Sequence, residues 1–286
     1  MTTHAEQNYQ ERILKVLVYI QNNLDQTLSL EALAETAHFS PFHFHRIFTA
    51  HTGESIKSYI RRLRLERATR DLSLTDLPII QISERAGYET QQSFHRAFKE
   101  AFNITPKEFR DKAGNEITAF QHEEKLAKRH QPIVEVKIIE PIKVAFARHT
   151  GSYKDVFQSW FKLVGEVGMN HLLSEKTLKI SIPHDAPETT PEDKIRYDAC
   201  VTIDELKSFK PKGQVGIQTL RGGKYAVITH HGPLDTIEST YQILFAIWLP
   251  QSGYEPADFP NFMLHRKMPF VTPDKIVETD IYLPLK

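Results

Sequence analysis

Residues 44–48 read Phe-His-Arg-Ile-Phe, and residues 94–98 read Phe-His-Arg-Ala-Phe. The match holds beyond those five residues, setting Gly53 against Asn103, Ser55 against Thr105 and Tyr59 against Phe109, with Ala37 and Ala86 leading into the two copies. A unit repeated at a fixed period needs one structural explanation that serves both copies. In each copy a short apolar stretch, residues 30–37 or 79–86, is followed by a tight turn and a second helix carrying Arg46 or Arg96. This is the pattern of a helix-turn-helix built twice.

Local stop and start signals agree. Ser29 is placed to cap the first short helix, Ser40-Pro41 is a cap followed by proline in the first turn, and Gly53 stands where a left-handed C-terminal residue is wanted. In the second copy Gly87 turns the chain, Thr90 caps the next helix, and Thr105-Pro106-Lys107-Glu108 forms a capping box that opens a last helix. Between the copies, Ile56, Tyr59, Ile60, Leu63, Ala68 and Leu72 form one stripe of a long helix over residues 55–74. Its other face bears Lys57, Arg61, Arg62, Arg64, Arg67 and Arg70. Acids and bases nearly balance over residues 1–113, so this positive charge is local. Such a face is either solvated or turned to phosphate, and phosphate needs only local charge.

On Leu33-Ala34, Ser40-Pro41-Phe42-His43-Phe44-His45-Arg46-Ile47-Phe48, Gly53, Tyr59-Ile60 and Arg64, residues 8–113 resemble the DNA-binding domain of AraC/XylS-family transcriptional regulators. Ile82, Ala86-Gly87-Tyr88, Ser93-Phe94, Arg96, Phe98-Lys99, Thr105-Pro106 and Phe109-Arg110 continue the resemblance in the second copy. It implies two helix-turn-helix units, joined by a long helix, whose second helices enter successive major grooves. It also implies that Phe42, His45 and Arg46 on one helix, and Gln91, Gln92, His95 and Arg96 on the other, read bases or clamp the backbone. Arginine suits guanine O6/N7, glutamine suits adenine N6/N7, and an exposed aromatic packs on a thymine methyl. Arg61 and Arg62 are the phosphate candidates. Phe44, Phe48, Phe94, Phe98 and Phe109 read as the buried stripe of amphipathic helices.

The hydrophilic stretch 114–131 reads as a linker, in part helical, and a second pattern follows it. Ala145, His149 and Gly151 recur as Ala226, His230 and Gly232, and Trp160, Leu163 and Val167 recur as Tyr241, Leu244 and Trp248. Each copy reads as strand, glycine-marked turn and amphipathic helix; strands are also expected at 133–139, 197–203 and 281–283. Gly151-x-Tyr153, Arg196-Tyr197-Asp198, Gly222-Gly223-Lys224-Tyr225, the run Trp248-Leu249-Pro250 to Glu255 and the terminal Asp280-Ile281-Tyr282-Leu283-Pro284-Leu285 resemble a GyrI-like effector-binding domain over residues 132–286.

The expected fold is therefore two domains: an all-α N-terminal half and an α+β C-terminal half with an internal pseudo-two-fold repeat, in a Rob-like order. The resemblance implies an aromatic-lined pocket for lipophilic, commonly cationic, ligands. Its candidates here are Trp160, Tyr197, Trp248, Glu255, Phe262, Met263 and His265. The chain departs from that pattern where Met263 follows Phe262 in place of a glutamate and His265 replaces a tyrosine, so a neutral apolar or amphipathic ligand is expected. Two other readings remain for this half, a surface for a protein partner, or a hydrolase pairing Glu255 with Tyr197.

His43-x-His45 and His230-His231 do not make a metal site, since no cysteine or carboxylate completes either set, and no cofactor is expected. Cys200 is the only cysteine, which excludes an intramolecular disulfide. Formal net charge is zero, the start of the chain is polar, and no apolar run is long enough to span a membrane. The expected partners are double-stranded DNA, a small-molecule effector and RNA polymerase, in a cytoplasmic, nucleoid-associated setting.

Overall fold

The computed structural model describes residues 4–127, 133–169, 173–203, 209–268 and 276–286. Seven helices come first: α1 (His4–Asn22), α2 (Leu30–Thr36), α3 (Pro41–Thr52), α4 (Ile56–Leu74), α5 (Ile79–Arg85), α6 (Gln91–Phe102) and α7 (Pro106–Ala127). Their ends are set by the residues expected to set them. Ser29, Ser40, Ser55 and Thr90 each accept the backbone N–H three residues on. Thr105 and Glu108 close the reciprocal box, with Glu108 Oε2 accepting from Thr105 N at 2.9 Å and Thr105 Oγ1 from Glu108 N at 3.2 Å. Gly53 (φ 72°) and Asn103 (φ 59°) occupy the same left-handed C-terminal position in the two copies.

Each copy has its own core. Phe44 and Phe48 pack with α1, α2 and the first half of α4, while Phe94 and Phe98 pack with α5 and the second half of α4. The long helix thus belongs to both units. The stretch 114–131, expected as a linker that is in part helical, is helical as a continuation of α7 through residue 127, and residues 128–131 lie outside the described residues. Sequence 114–127 contains no proline, and Gln121 anchors it by donating to the Ala246 carbonyl at 2.5 Å.

The second half is one antiparallel sheet in the order β1-β6-β8-β7-β3-β4-β2-β5. Its strands are β1 (Val134–Ile139), β2 (Ile142–Thr150), β3 (Lys179–Pro183), β4 (Arg196–Thr202), β5 (Val215–Leu220), β6 (Gly223–Pro233), β7 (Phe262–Lys267) and β8 (Ile276–Pro284). On one face, α8 (Phe157–Met169) packs over β2, β4 and β5. On the same face, α9 (Ile237–Gln242) packs over β6 and continues as a π-helical turn (Ile243–Trp248) and α10 (Leu249–Ser252). The opposite face meets the first half through Leu14 of α1, which is buried with Val144, Phe146, Ile180, Cys200 and Phe262. Alternate residues of each strand therefore serve different cores.

Candidate nucleic-acid interface and ligand seam

Buried phenylalanines hold α3 and α6 in place, and their outer faces are free. On α3, Phe42, His43, His45 and Arg46 are exposed, Phe42 to 68 %, and the Arg46 guanidinium lies 5.8 Å from the Phe42 ring centroid. On α6, Gln91, Gln92, Ser93 and Arg96 are exposed, while His95 is half-buried with its Nε2 3.3 Å from Gln91 Nε2. Among the described residues neither Arg46 nor Arg96 forms an ion pair, so both guanidinium groups keep their donors.

The basic face of α4 has a different fate. Arg62, expected to meet phosphate, is only 17 % exposed and is saturated by Glu54 (2.6 Å) and Glu66 (3.0 Å). Two carboxylates have taken the donors a phosphate would need, so Arg62, unlike the expectation, is not placed to meet phosphate. Arg61 is half-exposed and links α4 to α6, donating to Glu100 at 2.9 Å and to the Tyr88 hydroxyl at 3.3 Å. Arg64 donates to the Leu24 and Gln26 carbonyls, and Arg67 is buried between Asp25, Asp258 and the Arg85 carbonyl. Most of this positive row fastens the protein together.

In the second half, the central strands β7 and β3 form a seam between α8 on one side and α9 with its π turn on the other. Trp160, Tyr197 and His265 meet there. Trp160 Nε1 donates to the Tyr197 hydroxyl at 3.0 Å, Ser181 Oγ lies 2.5 Å from both that hydroxyl and His265 Nε2, and His265 Nδ1 is 3.1 Å from Thr279 Oγ1. Burial pushes the Tyr197 hydroxyl up to about 12. Met263, two residues from His265 on β7, faces the same side and packs with the α9 cluster.

Two expected pocket residues, Phe262 and Glu255, lie elsewhere. Phe262 is 2 % exposed on the opposite face of the sheet, stacked on Tyr282 at 4.5 Å, because strand parity sends neighbours 262 and 263 to different faces. Glu255 is at the surface, paired with Lys286 at 2.6 Å, which lowers its carboxyl pKa. Trp248, at the end of the π turn with its ring against Tyr254, packs in the same cluster as Met263, Tyr241 and Phe245. The seam instead gains half-buried Tyr153, Tyr241 and Phe245; Tyr153 lies edge-on to Tyr197, and Tyr241 stacks with Phe245 at 6.1 Å and accepts from Asn261 at 2.7 Å. The match of Trp160 to Tyr241 in the second sequence repeat was the signal for this residue.

Burial and, after it, the charge of Lys179 lower the His265 pKa from 6.5 to about 4. Between those values the unfolded chain binds a proton that the folded chain refuses, so folding stability rises with pH across that window and is flat above it. Acidifying from pH 6.5 to 4 is therefore expected to remove about 1.4 kcal/mol per unit through this residue. His265→Gln, followed by urea titration at each pH, should flatten the slope by that amount. An unchanged slope assigns it to other groups, His184 first among them, since burial lowers its pKa too.

No helix among the described residues is long and apolar enough to cross a membrane, and no group of three or more His, Cys, Asp or Glu there is placed to hold a metal ion. The fold and its two exposed helices define a double helix-turn-helix DNA reader joined to a sheet domain with an aromatic seam. Residues 133–286 match the GyrI-like small molecule binding domain, and residues 33–112 match a helix-turn-helix domain. The TetD protein of transposon Tn10 from Escherichia coli is 38 % identical over 108 residues, covering 37 % of this chain and 78 % of TetD. The multiple antibiotic resistance protein MarA of Escherichia coli K12 is 36 % identical over 98 residues, 34 % of this chain and 77 % of MarA. The transcriptional regulator Rob of Salmonella typhimurium is 40 % identical over 98 residues, about a third of each chain. The chain belongs to the AraC/XylS family of DNA-binding transcriptional regulators, in the group that carries a C-terminal GyrI-like domain.

Proposed function

We propose that residues 8–113 read an asymmetric DNA site with two heads, and that residues 132–286 sense a small ligand at the seam. The observation that carries the reading is the placement of Arg46 and Arg96: fifty residues apart, each in the first half of an exposed helix, each outside any ion pair among the described residues. Phe42, His45, Gln91, Gln92 and His95 supply the remaining base-edge chemistry, apolar contact from Phe42 and hydrogen bonds from the others. Arg61, half-exposed, is the backbone contact on α4. RNA polymerase is a further partner in this reading, with the chain acting in the cytoplasm where DNA is.

Catalysis has no support at the seam. Glu255 is at the surface while Tyr197 is buried beneath α8, so the glutamate and tyrosine of the hydrolase reading do not share a site. The Tyr197 hydroxyl is committed to Trp160 and Ser181. The ligand is instead a flat apolar body, neutral or weakly basic, lying against Tyr153, Tyr241, Phe245 and Met263. Met263 denies a permanent cation the carboxylate that a glutamate there would supply, and the acids that act on the seam tyrosines, Glu238 on Tyr241 and Glu188 on Tyr153, lie on other elements.

Calorimetry on the whole chain with a matched neutral and cationic aromatic tests this. Wild type should prefer the neutral compound, and Met263→Glu should move the preference toward the cation by about tenfold or more, one charge-assisted contact being worth roughly 1.5–3 kcal/mol. A wild type that prefers the cation, with no response to Met263→Glu, would sink the ligand assignment.

A further inference from the structure

Two loops of the sheet domain reach the seam at one end and a reading head at the other. The first spans residues 184–195. Its Asp185 carbonyl accepts from the Tyr153 hydroxyl at 2.7 Å, at the seam. Further along the same loop, Thr190 Oγ1 donates to Glu66 Oε1 at 3.0 Å and Lys194 Nζ donates to the Thr52 carbonyl at 2.9 Å. Thr52 is the last residue of α3, where helix carbonyls lack intrahelical partners and a cation is favoured. The first loop thus holds the end of the first reading helix.

The second loop spans residues 253–261. Its Asn261 donates to the Tyr241 hydroxyl at 2.7 Å, again at the seam. Three residues earlier, Asp258 accepts from Arg85 Nη2 at 2.5 Å, from Arg67 Nη1 at 3.3 Å and from Arg70. Arg85 is the last residue of α5, immediately before the Ala86-Gly87 turn that launches α6. One carboxylate therefore gathers three guanidinium groups next to the turn before the second reading helix, two of which also have an acid of their own, Arg67 in Asp25 and Arg85 in Asp71. Helix α4 fixes the axis joining the heads through the core each shares with it, and each loop adds one tether from the sheet domain to one head.

We infer that Lys194 and Asp258 are positioning residues for DNA reading, each setting the placement of one head, and that Tyr153 and Tyr241 link those placements separately to the seam. The link to ligand rests on the seam being the ligand site; the bracing of the heads does not. An occupied seam that displaces Tyr241 moves the second head through Asn261 and Asp258, and one that displaces Tyr153 moves the first head through the loop bearing Lys194. Different ligand shapes can then bias different heads, which is a differential contact of the kind a ligand-driven shift requires.

Hydrogen exchange on the full chain, without DNA or ligand, reads this directly. Asp258→Asn and Tyr241→Phe should each speed exchange in α5 and α6 by about 2- to 10-fold, the range expected for loss of one net hydrogen bond, with α3 unchanged. Lys194→Met and Tyr153→Phe should do the same for α3 and spare α6. The tyrosine variants lose one hydroxyl each, so they test the linkage even if a charge variant folds poorly. Equal acceleration in both heads, or no change in either from the tyrosine variants, overturns the inference. Failure of any aromatic compound to bind the seam would sink the ligand reading and leave the exchange result standing.

Discussion

Replacing Asp198 by alanine is expected to destabilise the protein by about 3–5 kcal/mol, because it leaves a buried guanidinium without its counter-charge. Asp198 is fully buried and accepts from Arg148 Nε at 2.7 Å and Nη2 at 2.8 Å, from Gln218 at 3.0 Å, and lies 2.8 Å from His184 Nε2. Although burial opposes ionisation, Arg148 and His184 hold its carboxyl far below the usual range. The same Arg148 reaches across to Gln21 of α1 at 3.0 Å, so the loss should be felt where the helical half docks on the sheet. Urea denaturation of the whole chain measures it. A change under about 1 kcal/mol would mean that water repairs the site and that the network is not buried in solution.

Arg96→Ala should weaken binding to the chosen DNA site by about 1–3 kcal/mol and relax base preference in one half of it, and Arg46→Ala should do so in the other half. The two effects should add in the double variant, since the heads share no side chain partner at these positions. Arg62→Ala is the contrasting case. Its guanidinium is engaged with Glu54 and Glu66, so its loss should lower stability and leave base preference intact. Binding selections with each variant separate these outcomes. If Arg96→Ala weakens operator and random DNA alike, Arg96 holds phosphate and does not read bases.

The helical half was legible because its determinants are local. A serine or threonine cap acts within three residues, and the left-handed C-terminal positions at Gly53 and Asn103 lie within a turn of the helices they end. The basic face of α4 was not legible for the opposite reason. Arg67 and Arg70 find their acid at Asp258, 191 and 188 residues away, and no spacing rule anticipates such a partner. At the seam, the period relating Trp160 to Tyr241 pointed to the right helices. Choosing between Phe262 and Met263 needed the strand register, in which a shift of one residue exchanges the two faces. Glu255 fell outside the site, at the surface, where its partner is Lys286, 31 residues on.

Two heads in one chain make a claim about the shape of the DNA site. Successive major-groove faces recur about every 10 bp, so one chain should cover roughly two helical turns with unrelated sequences in the two halves. The most direct measurement is footprinting on a selected site at a stated salt concentration, with the stoichiometry of the complex determined in parallel. One chain per site is expected, with an asymmetric footprint of about 20 bp and loss of protection in only one half for each of Arg46→Ala and Arg96→Ala. A palindromic footprint that requires two chains, with both variants eroding both halves equally, would contradict it.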